Sequence, residues 1–199
     1  MMRLTRRSLL TTSLLAGGSL FLASCGGSST ATNHGAMGSA AGSGMPGMSG
    51  DYDQNFIDGM VPHHQAAVDM AKVAQKMGEH PEIKQLANDI VTSQDGEIAK
   101  MKAWRKTWYG SDQIAPGMGG QTMGGMDTDL GKLAAASPFD KAFIDAMLPH
   151  HQSAIQMATE AKTKATHAEI KQLATEIVAA QQREIDQMKA WRAQWYPGQ

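Results

Sequence analysis

The sequence predicts an all-α protein, an antiparallel four-helix bundle made of two duplicated helical hairpins, and two observations predict it. Residues 56–109 align without a gap with residues 143–196, at an offset of 87, and 31 of those 54 pairs are identical. A match of that length marks two copies of one supersecondary unit. Within each copy a buried-type stripe recurs at three- and four-residue steps, which is the helical period. It runs through Ile83, Leu86, Ile90, Gln94, Met101, Trp104 and Trp108 in the first copy, and through Leu173, Ile177, Gln181, Met188, Trp191 and Trp195 in the second.

In chain order, residues 1–24 read as a lipoprotein export signal, because Arg3, Arg6 and Arg7 precede an apolar run through Leu14, Leu15, Leu20, Phe21 and Leu22. That run is too short for a permanent membrane-spanning helix. It ends in Leu22-Ala23-Ser24-Cys25, which resembles a bacterial lipobox and makes Cys25 the expected site of lipidation. Thr5-Arg6-Arg7-Ser8-Leu9-Leu10 also resembles a twin-arginine signal. Residues 25–50 are Gly, Ser, Ala and Met with almost nothing large to bury, the composition of a flexible tether. Residues 51–109 form the first hairpin repeat, with a helix over about 53–78 whose apolar face runs through Phe56, Met60, Ala67, Met70 and Ala74. Gly78 to Pro81 breaks it and turns the chain back. Residues 110–137 are a Gly/Met-rich crossover without predicted regular structure over 111–130, and 138–196 repeat the hairpin with a turn near Thr166 to Ala168. Neither hairpin can bury both of its faces alone, so their mutual packing creates the fold, with 51–196 as one domain.

Composition narrows the function. Loss of Arg3, Arg6 and Arg7 with the signal takes the formal charge from −1 to −4, an acidic balance that argues against nucleic-acid binding. One cysteine excludes an intramolecular disulfide and any multi-cysteine metal site, so a metal must be held by His, Met or carboxylate. The 15 Met against 4 Phe and 3 Tyr make thioethers an unusually large share of the apolar volume.

The candidate chemistry lies in the doubled cassette Met-x-Pro-His-His, which supplies Met60, His63 and His64 and again Met147, His150 and His151. Neighbouring helical residues point about 100° apart, so His63 and His64 cannot aim at one spot. Met60 lies at i−3 and i−4 from the pair, and Met70 sits two turns beyond His63 on the same face. Pro62 is expected to kink or restart the helix before the histidines. Imidazole nitrogen with thioether sulfur suits copper, above all the soft cuprous ion, with silver as a competitor, and suits magnesium or calcium poorly. A single helical Met commonly fills core volume, but this cassette occurs twice. Met37, Met45 and Met48 in the tether and Met118, Met123 and Met126 in the crossover lie where no core exists, and read as a weak, exchangeable metal relay.

The spacing Phe-Ile-Asp-x-Met-x-Pro-His-His-Gln, followed by a helix carrying Gln-x-x-Glu-Ile-x-x-Met, resembles the bacterial family catalogued as domain of unknown function 305. The resemblance covers about 51–109 and 138–196. It implies a ferritin-like four-helix bundle, export to the cell envelope and, for some members, copper binding and tolerance. Carried onto this chain, the motif marks Met60, His63, His64 and Met70, and likewise Met147, His150, His151 and Met157.

Glu97 and Glu184 lie beside the stripe, where they can orient a ligand histidine or reach solvent as boundary residues. His80 and His167 read as turn or capping residues, and the four tryptophans as a plug at one end of the bundle. Together these features favour a binding module, an envelope protein anchored to the membrane through lipid that sequesters copper or hands it to a partner protein. The alternatives are a ferritin-like dinuclear metal oxidase, which lacks the Glu-x-x-His helices such sites draw on, and a metal-free envelope adaptor.

Overall fold

The structure, a computed structural model, describes residues 50–114 and 128–199. Five helices occur among them: α1 (Tyr52–Met77), α2 (Pro81–Tyr109), α3 (Leu130–Ala134), α4 (Phe139–Lys164) and α5 (Ala168–Trp195). α1 pairs with α2 and α4 with α5 as hairpins, and the two hairpins join chiefly through α1 against α4. The four-helix bundle read from the duplication is therefore present. Cys25, Met37, Met45, Met48, Met118, Met123 and Met126 lie outside the described residues.

Local chemistry sets the helix ends. Asp51 caps α1 by accepting from the backbone N–H of Asp53 and Gln54, and the Tyr109 hydroxyl donates to the same carboxylate at 2.6 Å, tying the start of α1 to the end of α2. Pro81 opens α2 at a position where its missing N–H costs nothing. Gly110 closes α2 at φ 78°, a left-handed conformation that favours glycine.

α1 and α4 run continuously through Pro62 and Pro149, so of the kink or restart expected at Pro62 the restart does not occur. After the stretch expected to lack regular structure, Asp129 caps the short α3, whose Leu133 is buried against α1 and α4.

The turns between paired helices are capped in a way that joins the halves. Neither His80 nor His167 caps its own helix through its side chain. Instead the buried carboxylate of Asp140, in the first turn of α4, accepts from the N–H of Glu79 at 2.9 Å, the N–H of His80 at 2.8 Å and Nδ1 of His80 at 2.6 Å. Asp53, in the first turn of α1, accepts from the N–H groups of Thr166 and His167 and from Nδ1 of His167 at 2.6 Å. Each hairpin thus satisfies the orphan donors of the other's turn. The histidine rings stack on tryptophan, His80 on Trp195 at 3.8 Å and His167 on Trp108 at 3.7 Å between centroids. The turn-residue reading of His80 and His167 holds. The single aromatic plug does not: Trp104 and Trp108 sit at one end of the bundle and Trp191 and Trp195 at the other, because the hairpins run antiparallel.

Two apolar clusters fill the interior. One joins Phe56, Ile57, Met60 and Val68 of α1 to Ala154, Met157 and Ala158 of α4, with Ile98 and Met101 of α2 and Ile170, Leu173 and Ile177 of α5. The other is its counterpart under the internal symmetry, with Met70 and Ala74 of α1 against Phe143, Ile144 and Met147 of α4. The histidines occupy the crossing of α1 and α4, between the two.

Candidate metal centre

All four histidines are fully buried. Because α1 and α4 cross at the cassette, the two pairs meet: the His63 and His150 rings lie 3.8 Å apart between centroids, with His64 6.4 Å from His63 and His151 6.3 Å from His150. The result is a row of four imidazoles spanning both hairpins. As helical geometry requires, the two histidines of one repeat do not converge on one spot.

The outer members are held by carboxylates. Nε2 of His64 lies 2.7 Å from Glu97 Oε2, and Nε2 of His151 lies 2.6 Å from Glu184 Oε2. Both glutamates therefore partner a histidine, and at 16% and 17% exposure they also touch solvent. Nε2 of His63 lies 2.5 Å from Ser153 Oγ. His150 has no hydrogen-bond partner on either nitrogen, and Nδ1 of His63, His64 and His151 has none. Five buried nitrogens without partners are costly in an apolar interior unless something outside the protein pairs with them.

Burial, followed by the neighbouring His64 and His151, pushes His63 down from 6.5 to about 3. Burial, followed by the proximity of His63, pushes His150 down to about 2. Both are neutral at pH 7 and keep a lone pair for an electrophile.

The thioethers flank the row. Met60 and Met157 share one cluster, Met70 and Met147 the other, and all four are buried. Each cluster thus takes the Met before the histidines of one repeat and the Met after the histidines of the other. Among the described residues no three His, Cys, Asp or Glu side chains converge as a metal site, so the carboxylate-rich constellation of a dinuclear oxidase is not found there. The donors on offer are imidazoles and, in the adjoining clusters, thioethers.

Sequence reasoning missed three participants. Asp53 and Asp140 have the look of ordinary first-turn acids. Ser153 carried a legible signal, since it is one of the few differences between the cassettes, with Ala66 at the matching position. Gln94 and Gln181 prove to be buried, each with an unpartnered carbonyl oxygen.

Fold and site together define a class of protein, duplicated helical hairpins that bury four imidazoles where they cross. The chain belongs to the DUF305 family, whose family model, Domain of unknown function (DUF305), matches residues 53–192. Among solved structures it is similar to CopM in the Cu(I)-bound form, with 43% identity and a TM-score of 0.64 over 72% of this chain and 97% of that one. CopM in the Ag-bound form obtained by co-crystallization gives 42% identity and a TM-score of 0.65 over the same shares. CopM has also been solved in Cu(II)-bound and apo forms. A DUF305 protein from Streptomyces coelicolor, described as secreted, is 28% identical with a TM-score of 0.65 over 72% of this chain and 92% of that one. A shorter match, 43% identical over 51 residues, links 26% of the chain to Uncharacterized protein L153 of Acanthamoeba polyphaga mimivirus, and spans only 34% of that relative's length.

Proposed function

We propose that this chain binds copper as cargo, preferring the cuprous ion and admitting silver, and that it does so in the cell envelope. The observation that carries the proposal is the row of buried imidazoles whose unpartnered nitrogens face an interior with thioethers in both adjoining clusters. Nitrogen and sulfur donors without a converging carboxylate set match a soft, polarisable cation and match magnesium or calcium poorly. The similarity to CopM, solved with Cu(I), Cu(II) and Ag, supports the choice of metal.

His63, His64, His150 and His151 supply nitrogen, and Met60, Met70, Met147 and Met157 are the thioethers within the same interior. Cys25 carries the lipid that holds the protein at the membrane. Met37, Met45, Met48, Met118, Met123 and Met126 give weaker, exchangeable sites through which metal enters the bundle or leaves it for a partner protein. The test is competition for cuprous ion against a chromogenic chelator. Replacing all four histidines by Ala should abolish the tight component while the helical circular-dichroism spectrum persists. Undiminished tight binding by that variant would remove the assignment.

A further inference from the structure

An imidazole has two nitrogens, and a neutral ring can offer a metal only the one that lacks a proton. The hydrogen bonds of this site fix which one that is. A carboxylate oxygen accepts, so the close approach of Glu97 to Nε2 of His64 and of Glu184 to Nε2 of His151 places the ring proton on Nε2. The opposite tautomer would set a nitrogen lone pair against a carboxylate oxygen and leave an N–H buried without an acceptor at Nδ1. The same arrangement occurs twice, in both repeats, at nearly equal distances.

His63 reaches the same state by another route. The Ser153 hydroxyl donates to the carbonyl of His150 at 3.1 Å, so toward His63 the serine oxygen accepts, and Nε2 of His63 donates to it. Ser153 has no counterpart in the first repeat, where Ala66 stands. His150, the symmetry mate of His63, accordingly has no side-chain partner on either nitrogen.

We propose that Glu97, Glu184 and Ser153 are positioning residues that hold His64, His151 and His63 as the Nε2–H tautomer, so that each presents its Nδ1 lone pair to a soft monovalent cation. His150 is the adjustable member of the row. The inference rests on the copper-binding reading above and adds to it the ligating atom of three residues and an inequivalence between the halves that the duplication alone does not predict.

The test uses the full chain in detergent with 15N-labelled histidine. Long-range proton–nitrogen spectra of the metal-free protein at neutral pH should show His63, His64 and His151 as the Nε2–H form. Titration with silver(I), which avoids redox chemistry, should then move the Nδ1 resonances of these rings. Replacing both Glu97 and Glu184 by Ala should release the tautomers of His64 and His151 and weaken silver binding by about 10–100-fold. Glu97→Gln with Glu184→Gln keeps an acceptor oxygen at each position and should restore the tautomers and most of the affinity. Ser153→Ala should release His63 alone. An Nδ1–H form at any of the three rings, or a silver-dependent shift at Nε2 in its place, overturns the inference even if copper binds tightly. The parent spectra decide this whether or not a variant folds. Should the tautomers be as stated while neither silver nor copper binds, the copper reading fails and this inference fails with it.

Discussion

Removing the Asp53 carboxylate should cost the domain a large fraction of its stability, although the residue is far from the histidine row. Asp53 is fully buried and accepts from Thr166 N at 2.9 Å, His167 N at 2.7 Å and His167 Nδ1 at 2.6 Å. Hydrogen bonds to a charged partner contribute about 1.5–3 kcal/mol each, with incomplete additivity because all three share one carboxylate. Asp53→Ala also leaves the backbone N–H groups of Thr166 and His167, in the turn before α5, without an acceptor. The expected loss is about 3–5 kcal/mol, against a typical total of about 5–15 kcal/mol for a domain. Asp53→Asn keeps one acceptor but turns an amide N–H toward donors, and should cost about 2–3 kcal/mol. The assay is urea unfolding followed by far-ultraviolet circular dichroism, comparing midpoints at constant slope. Asp140→Ala should behave alike at the opposite end, and the double variant should be close to additive because the two carboxylates share no partner. A loss below about 1 kcal/mol for Asp53→Ala would refute the crossed-cap account, since that is the range of an ordinary solvated helix cap.

Two further outcomes rest on buried side chains and a third on the signal sequence. His63 and His150 are held well below 6.5, so the unfolded chain binds protons that the native state does not. Metal-free stability should therefore be intact above pH 6.5 and fall as pH drops from there toward about 3, by about 2 kcal/mol per histidine at pH 5; a pH-independent urea midpoint between pH 7 and 5 contradicts their burial. Arg105 is buried and donates to both oxygens of the buried Asp58 and to the carbonyl of Ser111, whereas its repeat mate Arg192 pairs with an Asp145 that is 41% exposed. Arg105→Ala should cost about 3–5 kcal/mol and Arg192→Ala about 1 kcal/mol or less, and equal losses in denaturation would show that the asymmetry has no energetic content. Cys25→Ala should move the protein from the membrane to the soluble fraction of lysed cells, and retention at the membrane removes the lipid anchor.

The bundle was legible because duplication and helical period act over long stretches and agree with each other. A stripe such as Ile83, Leu86 and Ile90 has no stable alternative to burial against a partner helix. The histidines were legible as a doubled cassette, and Glu97 and Glu184 as neighbours of the stripe. What sequence could not supply was the point at which α1 and α4 cross, which brings two cassettes 87 residues apart into one row. Asp53 illustrates the same limit. Its partners lie 113 and 114 residues away, and a first-turn acid is already favoured by the helix dipole, which masks its other role. The aromatic plug failed for a simpler reason: antiparallel hairpins send the ends of α2 and α5 in opposite directions, and the stripe pattern carries no information about that.

The crossed caps make the contact between the halves isologous: the first turn of α1 serves the turn before α5 as the first turn of α4 serves the turn before α2. One repeat by itself carries both complementary parts, with Asp53 and the His80 turn in the first and Asp140 and the His167 turn in the second. A hairpin of this kind is self-complementary, and two separate copies arranged about a two-fold axis would meet every capping requirement that the fused chain meets. Fusion does what no such homodimer can do. It lets the two faces of a once-equivalent interface diverge, and the exchange of Ala66 for Ser153 beside the central imidazoles is a divergence only a single chain can keep in register.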